Sequence, residues 1–165
     1  MSTTDEIKHF NQDRTPEFWA LEQPFPGGPN DDNVKTFLKY KVEGSTLLLG
    51  LTKKLIDHSD YQMDISPYKM TDSTIKGDWC DNVTYYDNIL GDGVLNFTKE
   101  LEINLLEMCS KYCRRLIVRS FNYKYDWMKI ADNFSNEDTL YLKPTWVEKY
   151  DENCTFYIWE FHQKS

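Results

Sequence analysis

The sequence lacks several features that would assign a class of protein directly. No apolar run approaches the roughly 20 residues of a membrane-spanning helix, and the polar N-terminus has neither region of a signal peptide. We therefore expect a cytoplasmic protein that has no membrane partner. The net charge is −8 at pH 7 and the basic residues are dispersed, so we do not expect nucleic acid as a partner.

Residues that usually bind metals are also sparse. Neither the cysteines nor the histidines show the paired spacing of a zinc site, although Cys109 and Cys113 are close enough to share a helix face. We predict no metal ligand and expect the cysteines to be reduced thiols. The residues concerned are Cys80, Cys109, Cys113, Cys154, His9, His58 and His162.

At 165 residues the chain has the length of one domain. Apolar runs alternate with helical patterns, which is typical of a mainly parallel sheet with helices on both faces. A helix capped by Asn30, Asp31 or Asp32 precedes the first strand. We predict strands near 46–50, 61–64, 86–91 and 114–121, an edge strand at 73–76, helices over 53–57 and 100–113, and a C-terminal antiparallel strand pair over 139–142 and 155–161. The predicted fold class is α/β.

Three of the predicted strands end in residues suited to binding a nucleotide. The first ends in Gly50, which has no Cβ and therefore lets the backbone approach a ligand closely. The second ends in Asp64, whose carboxylate can accept hydrogen bonds from both hydroxyls of a ribose. The third ends in Gly91, Asp92 and Gly93. Because ligands bind beyond the carboxyl ends of parallel strands, we expect these residues at one site.

The order and spacing of these motifs resemble the class I S-adenosylmethionine-dependent methyltransferases. The resemblance extends over about residues 33–121. It implies an N-terminal lid or helical segment over 1–44 and a Rossmann-like methyltransferase domain over 45–165. It also implies S-adenosyl-L-methionine as cofactor and a small molecule or a protein side chain as methyl acceptor. The matching segments are Leu47-Leu48-Leu49-Gly50, Met63-Asp64-Ile65-Ser66, Gly77-Asp78-Trp79, Leu90-Gly91-Asp92-Gly93 with Leu95-Asn96, and Arg115-Leu116-Ile117-Val118-Arg119.

The resemblance also implies roles for particular residues. Asp78 would accept a hydrogen bond from the adenine amino group, and Trp79 would supply a face for the adenine ring. Asp92 is the candidate catalytic residue, which could orient the acceptor, act as general base or stabilise the sulfonium charge. Structural alternatives are a helix cap at Asp64, a core position for Trp79 and a plain turn at Asp92. The implied cofactor-binding residues are Gly50, Leu51, Asp64, Ile65, Asp78, Trp79, Gly91 and Gly93.

One departure from that family concerns the turn after the first strand, where several glycines are usual. Here Gly50 is followed by Leu51, Thr52 and Lys53, which leaves less room around the carboxypropyl arm of the cofactor. The departure motivates a second hypothesis, a non-catalytic methyltransferase-like binding module that has lost the cofactor. A nicotinamide-dependent oxidoreductase is a third, but its glycine fingerprint is absent and the acid follows sooner than the usual ~20 residues.

Overall fold

Helices and strands are interspersed along the chain up to the fifth strand. A computed structural model of the chain describes residues 29–65, 67, 69–94, 99–121, 143–149 and 154–161. The strands in these ranges are β1 (Thr46–Leu49), β2 (Tyr61–Asp64), β3 (Thr74–Lys76), β4 (Tyr86–Asp92), β5 (Cys113–Phe121), β6 (Trp146–Lys149) and β7 (Cys154–Glu160). The helices are α1 (Asp31–Tyr40), α2 (Lys53–Ile56) and α3 (Lys99–Tyr112), with a 3-10 helix at Trp79–Asp81.

The seven strands form one sheet in the order β3-β2-β1-β4-β5-β7-β6. Neighbours from β3 to β5 are parallel, whereas β7 runs antiparallel to both β5 and β6. The sheet is therefore mainly parallel with a C-terminal antiparallel strand pair, which confirms the predicted fold class. The direction of winding reverses between β1 and β4, so a crevice is expected beyond the carboxyl ends of these strands.

Strand β1 is buried on both of its faces. Leu47 and Leu49 belong to the core beneath α3, and Leu48 belongs to the core beneath α1 and α2. All three are at most 1% exposed. A continuous apolar run is what a strand covered on both faces requires, and this run is the reason that β1 was predictable.

Helix α1 begins with a reciprocal cap, and its Phe37 packs on the sheet. Asn30 accepts a hydrogen bond from the backbone N–H of Asn33 at 2.8 Å, and Asn33 accepts one from the backbone N–H of Asn30 at 3.0 Å. Asn30 is thus the cap among the three predicted candidates. Phe37 is fully buried, with its ring centroid 5.0 Å from that of Phe156 on β7.

The connection from α1 into β1 is attached to the start of β4. Asp87 accepts hydrogen bonds from the backbone N–H of Ser45 at 2.9 Å and from its hydroxyl at 3.2 Å. Asn88 pairs with both backbone polar groups of Val42, at 2.8 and 2.7 Å. Gly44 has a φ of +131°, and a Cβ added there would lie 2.1 Å from the Asp87 carboxylate.

Two predicted features differ from the structure or lie outside it. The predicted strand over 139–142 falls outside the described residues, and so do residues 1–28 of the expected N-terminal segment over 1–44. Strand β7 pairs with β5 on one side and with β6 on the other, and the sequence pattern did not predict β6. Its Trp146 and Val147 are 43% and 47% exposed, and an edge strand of this kind shows no alternation of buried and exposed residues. Within the described ranges, no helix combines the length and apolar character needed to cross a membrane.

The Gly44 turn provides a test of how β1 is anchored. We expect Gly44→Ala to lower the free energy of unfolding by about 2 kcal/mol or more, because a strained left-handed backbone alone costs roughly 1–3 kcal/mol and the Asp87 clash adds to it. Urea denaturation followed by circular dichroism measures the loss. Gly77→Ala is the control, since its Cβ would meet only the flexible end of Met63 at 3.1 Å. Equal losses in the two variants would contradict this account of the turn.

Candidate functional site

The candidate site lies at the carboxyl ends of β1 and β2, beside the point where the winding of the sheet reverses. Gly50 directly follows β1, and Asp64 is the last residue of β2. The backbone N–H of Gly50 donates to the carbonyl oxygen of Met63 at 2.8 Å. The two strand ends are therefore held side by side, with Gly50 next to the half-buried Asp64.

Gly50 shares its surroundings with two other predicted binding residues. It has a φ of +90°, a conformation that favours glycine. A Cβ built on Gly50 would lie 4.0 Å from the Asp64 carboxylate and 3.9 Å from Cζ2 of Trp79. The structure thus brings Gly50, Asp64 and Trp79 together around one point.

Trp79 and Asp78 both have structural partners of their own. The indole N–H of Trp79 donates to the carbonyl oxygen of Met63 at 2.7 Å, and the ring is only 8% exposed within the core. Asp78 is 6% exposed and caps the 3-10 helix by accepting from the backbone N–H of Cys80 at 3.0 Å. This placement favours the core position that was the alternative for Trp79. Adenine contacts by either residue stay predictions.

The two apolar residues of the predicted site flank these strand ends. Leu51 follows Gly50 and is half-buried, two residues before α2 begins at Lys53. Ile65 follows Asp64 and packs against the core beneath α3. Both lie at the predicted edge of the sheet, and their contact with a cofactor stays a prediction.

The local structure explains why glycine occupies two positions at the end of β4. A Cβ on Gly91 would lie 2.5 Å from a methyl carbon of Val94, so the missing side chain makes room for Val94 in the core. Gly93 has a φ of +72° and its N–H donates to the carbonyl oxygen of Arg119 at 2.9 Å. Gly93 adds no side chain to the loop that begins here. Whether it borders the cofactor stays a prediction.

Asp92 forms a buried ion pair with Arg119 on the adjacent strand. The Arg119 guanidinium donates through Nε to one carboxylate oxygen and through Nη2 to the other at 3.1 Å. The side chains of Asp92 and Arg119 are 3% and 5% exposed. Such two-point contacts hold both groups in a fixed orientation. Sequence reasoning missed Arg119 as a partner, although a basic residue at the end of an apolar strand was a visible signal.

Burial and ion pairing have opposite effects on the pKa of each of the two side chains. Burial raises the pKa of the Asp92 carboxyl, although the hydrogen bond and charge of Arg119 oppose the shift. Burial also acts to lower the pKa of Arg119, but the hydrogen bond and charge of Asp92 outweigh it and raise that pKa. A general base must reach the substrate's proton, and in this geometry the Asp92 carboxylate is directed to Arg119 instead. Its catalytic role stays a prediction, and of the three predicted roles this geometry disfavours that of general base.

Comparison with known proteins finds similarity in structure but not in sequence. No family model and no curated protein matches the chain. Magnesium protoporphyrin IX methyltransferase from Synechocystis PCC 6803, solved with bound S-adenosylmethionine, matches with a TM-score of 0.62 and 12% identity over 98% of each chain. The same enzyme has been solved with bound S-adenosylhomocysteine.

Two further structures show the range of proteins that share this architecture. A S-adenosylmethionine-dependent methyltransferase from Thermotoga maritima matches at a TM-score of 0.56 and 14% identity, over 95% of this chain and 98% of its own. A Rhodobacter sphaeroides protein, described provisionally as a zinc-dependent alcohol dehydrogenase, matches at 0.59 and 12%, over 97% and 99%. The chain therefore has a class I methyltransferase-like fold, as the resemblance predicted. At such identities the likeness shows the fold alone.

The buried ion pair gives a stability test. We expect Arg119→Met to lower the free energy of unfolding by about 3–5 kcal/mol, because it leaves the Asp92 carboxylate buried without a counter-charge. Adding Asp92→Asn to that variant should restore part of the loss. Chemical denaturation of the two variants measures both effects.

Arg114→Met is the matched control for this test. Arg114 also pairs with a carboxylate, that of Glu160, but its side chain is 47% exposed. We expect a much smaller loss than for Arg119→Met, because exposed ion pairs contribute little to stability. If Arg119→Met were no more damaging than Arg114→Met, the pair would not hold the ends of β4 and β5 together.

Proposed function

We propose that this protein is a S-adenosylmethionine-dependent methyltransferase that acts on a small molecule or a protein side chain. The observation that carries the proposal is the convergence of Gly50 and Asp64 at the carboxyl ends of β1 and β2, with Asp64 Oδ2 4.0 Å from the Cβ position of Gly50. This is where an open α/β sheet binds its ligand. The fold shared with methyltransferases supports the same proposal.

The residues present fit the chemistry of this cofactor. Asp64 can accept from both ribose hydroxyls in charge-assisted hydrogen bonds, which are stronger than neutral ones. Gly50 has no Cβ and has a φ of +90°, so the backbone can approach the ligand closely at this residue. When bound, the cofactor supplies a methyl group on a positively charged sulfur. The task of the chain is then to hold the two reactants in line.

In this proposal, Asp92 and Arg119 act by fixing the loop at the end of β4. Their two-point pair and the hydrogen bond from the Gly93 N–H to the Arg119 carbonyl hold Asp92 and Gly93, where this loop begins, against β5. Alignment alone can supply a large share of rate acceleration in a group transfer, so an acid–base pair is not required. We further propose an N-terminal lid or helical segment over residues 1–44 and a methyltransferase domain over residues 45–165. We also propose that the net charge of −8 disfavours nucleic acid as acceptor.

The non-catalytic binding module remains the second candidate. It is favoured by the engagement of Asp78 and Trp79 in the structure itself, since the first caps a helix and the second is hydrogen-bonded in the core. Titration calorimetry with S-adenosylmethionine, S-adenosylhomocysteine and a nicotinamide dinucleotide separates the hypotheses. Micromolar binding of the first two supports the methyltransferase, and binding of none supports the module.

Asp64 provides the specific test. We expect Asp64→Ala to weaken S-adenosylhomocysteine binding roughly 10- to 100-fold, because hydrogen bonds to a charged group are worth about 1.5–3 kcal/mol. The melting temperature of the unliganded protein should change little. Asp72→Ala, at an exposed turn before β3, is the matched control and should keep full affinity. A large loss of stability with unchanged affinity would instead make Asp64 a structural cap.

A further inference from the structure

Asn33 holds a buried hydrogen-bond donor that has no partner. The residue is 2% exposed, and its side-chain oxygen is used in the reciprocal cap with Asn30. The amide nitrogen, Nδ2, is buried and makes no hydrogen bond. Such a group has lost its hydrogen bonds to water without a replacement, which destabilises the fold, so it calls for an explanation. A ligand that supplies an acceptor is one.

The direction of α1 locates this donor at the same edge of the sheet as the candidate site. The last residue of α1 is attached to the start of β5, since the Tyr40 carbonyl accepts from Arg115 at 2.7 Å. The helix therefore runs from the carboxyl edge of the parallel strands toward their amino edge. At the other end of the helix, the Asp31 carboxylate lies 3.2 Å from Nζ of Lys54. Lys54 belongs to α2, the helix that follows Gly50 in the chain.

The helical repeat of α1 then determines where Asn33 lies along the direction of the strands. Asn33 precedes Phe37 by one turn on the same helix face, which is about 6 Å closer to the carboxyl edge. Phe37 packs on Phe156, which is in register with Arg119. Alternation along β4 puts Asp92 on the same sheet face as Leu90, the face that α1 covers. Asn33 thus lies at the carboxyl ends of the strands, on the side of the Asp92–Arg119 pair.

We infer that the Asn33 amide binds the carboxylate at the amino-acid end of S-adenosylmethionine, an inference that rests on the proposed function. A cofactor whose ribose is held by Asp64 on β2 and which crosses Gly50 on β1 extends next toward β4 and α1. Its amino-acid carboxylate is the strong acceptor at that end, and the Asn33 NH₂ group is a donor only.

The charge at the start of α1 suits the same ligand. The N-terminus of a helix carries a partial positive charge that favours anions. The two acidic residues of the first turn do not cancel it at the buried face, because the side chains of Asp31 and Asp32 are 90% and 73% exposed. Water screens these surface charges far more than it screens a buried contact.

The test uses a substitution that removes the donor and keeps the cap. Asn33→Asp retains an oxygen that can accept from the backbone N–H of Asn30, but replaces the NH₂ group by a second oxygen. We expect the affinity for S-adenosylhomocysteine, measured by calorimetry, to fall at least tenfold. The affinity for 5′-methylthioadenosine, which has no amino-acid end, should stay within twofold of the unchanged protein.

Asn30→Asp is the matched control, because it introduces the same charge at the same helix end while its side chain keeps the cap. It should leave both affinities within twofold. Asn33→Ser, which keeps a cap oxygen on a shorter side chain, replaces Asn33→Asp if that variant does not fold, with the same expected results.

Three outcomes would overturn the inference. Unchanged affinity for S-adenosylhomocysteine in the Asn33 variant would exclude the contact, and an equal loss for both ligands would indicate a structural effect of the substitution. If the unchanged protein bound neither ligand, the proposed function would fail and the inference with it. The ligand pair therefore distinguishes a failure of Asn33 from a failure of the proposed function.

Discussion

Burial of β1 on both faces is the constraint on which the rest of the structure depends. Its three leucines supply one core through Leu48 and the other through Leu47 and Leu49. Strand β1 has β2 on one side and β4 on the other, so the direction of winding reverses beside β1. Gly50 lies beside that reversal because it is the residue directly after β1. The candidate site is therefore located by the burial of β1.

Polar contacts then fix the strand ends that the apolar core leaves undetermined. The Met63 carbonyl accepts from both the Gly50 N–H and the Trp79 indole, which joins β1, β2 and the 3-10 helix. The Asp92–Arg119 pair does the same for β4 and β5. Because both contacts are buried, a small set of atoms holds four strand ends in one arrangement. A ligand at this edge would meet a largely preformed surface.

The fold was more predictable from the sequence than the site. Runs such as 47–49 and 116–118 are covered on both faces, and their burial is visible in the sequence as consecutive apolar residues. Edge strand β6 has no such signal and was missed. At the site, the positions of Gly50 and Asp64 followed from strand ends. The partner of Asp92 did not, because pairing across strands depends on register, which a single sequence does not specify.

The position of β7 has a consequence for how the chain folds during synthesis. It is the last described strand, yet it lies inside the sheet between β5 and β6. Until residues 154–160 have left the ribosome, β5 and β6 lack the strand that lies between them in the sheet of the described residues. A strand edge without its neighbour invites pairing with other chains. The nascent protein therefore completes its sheet late, and the time before β7 is added is a period when a chaperone would matter most.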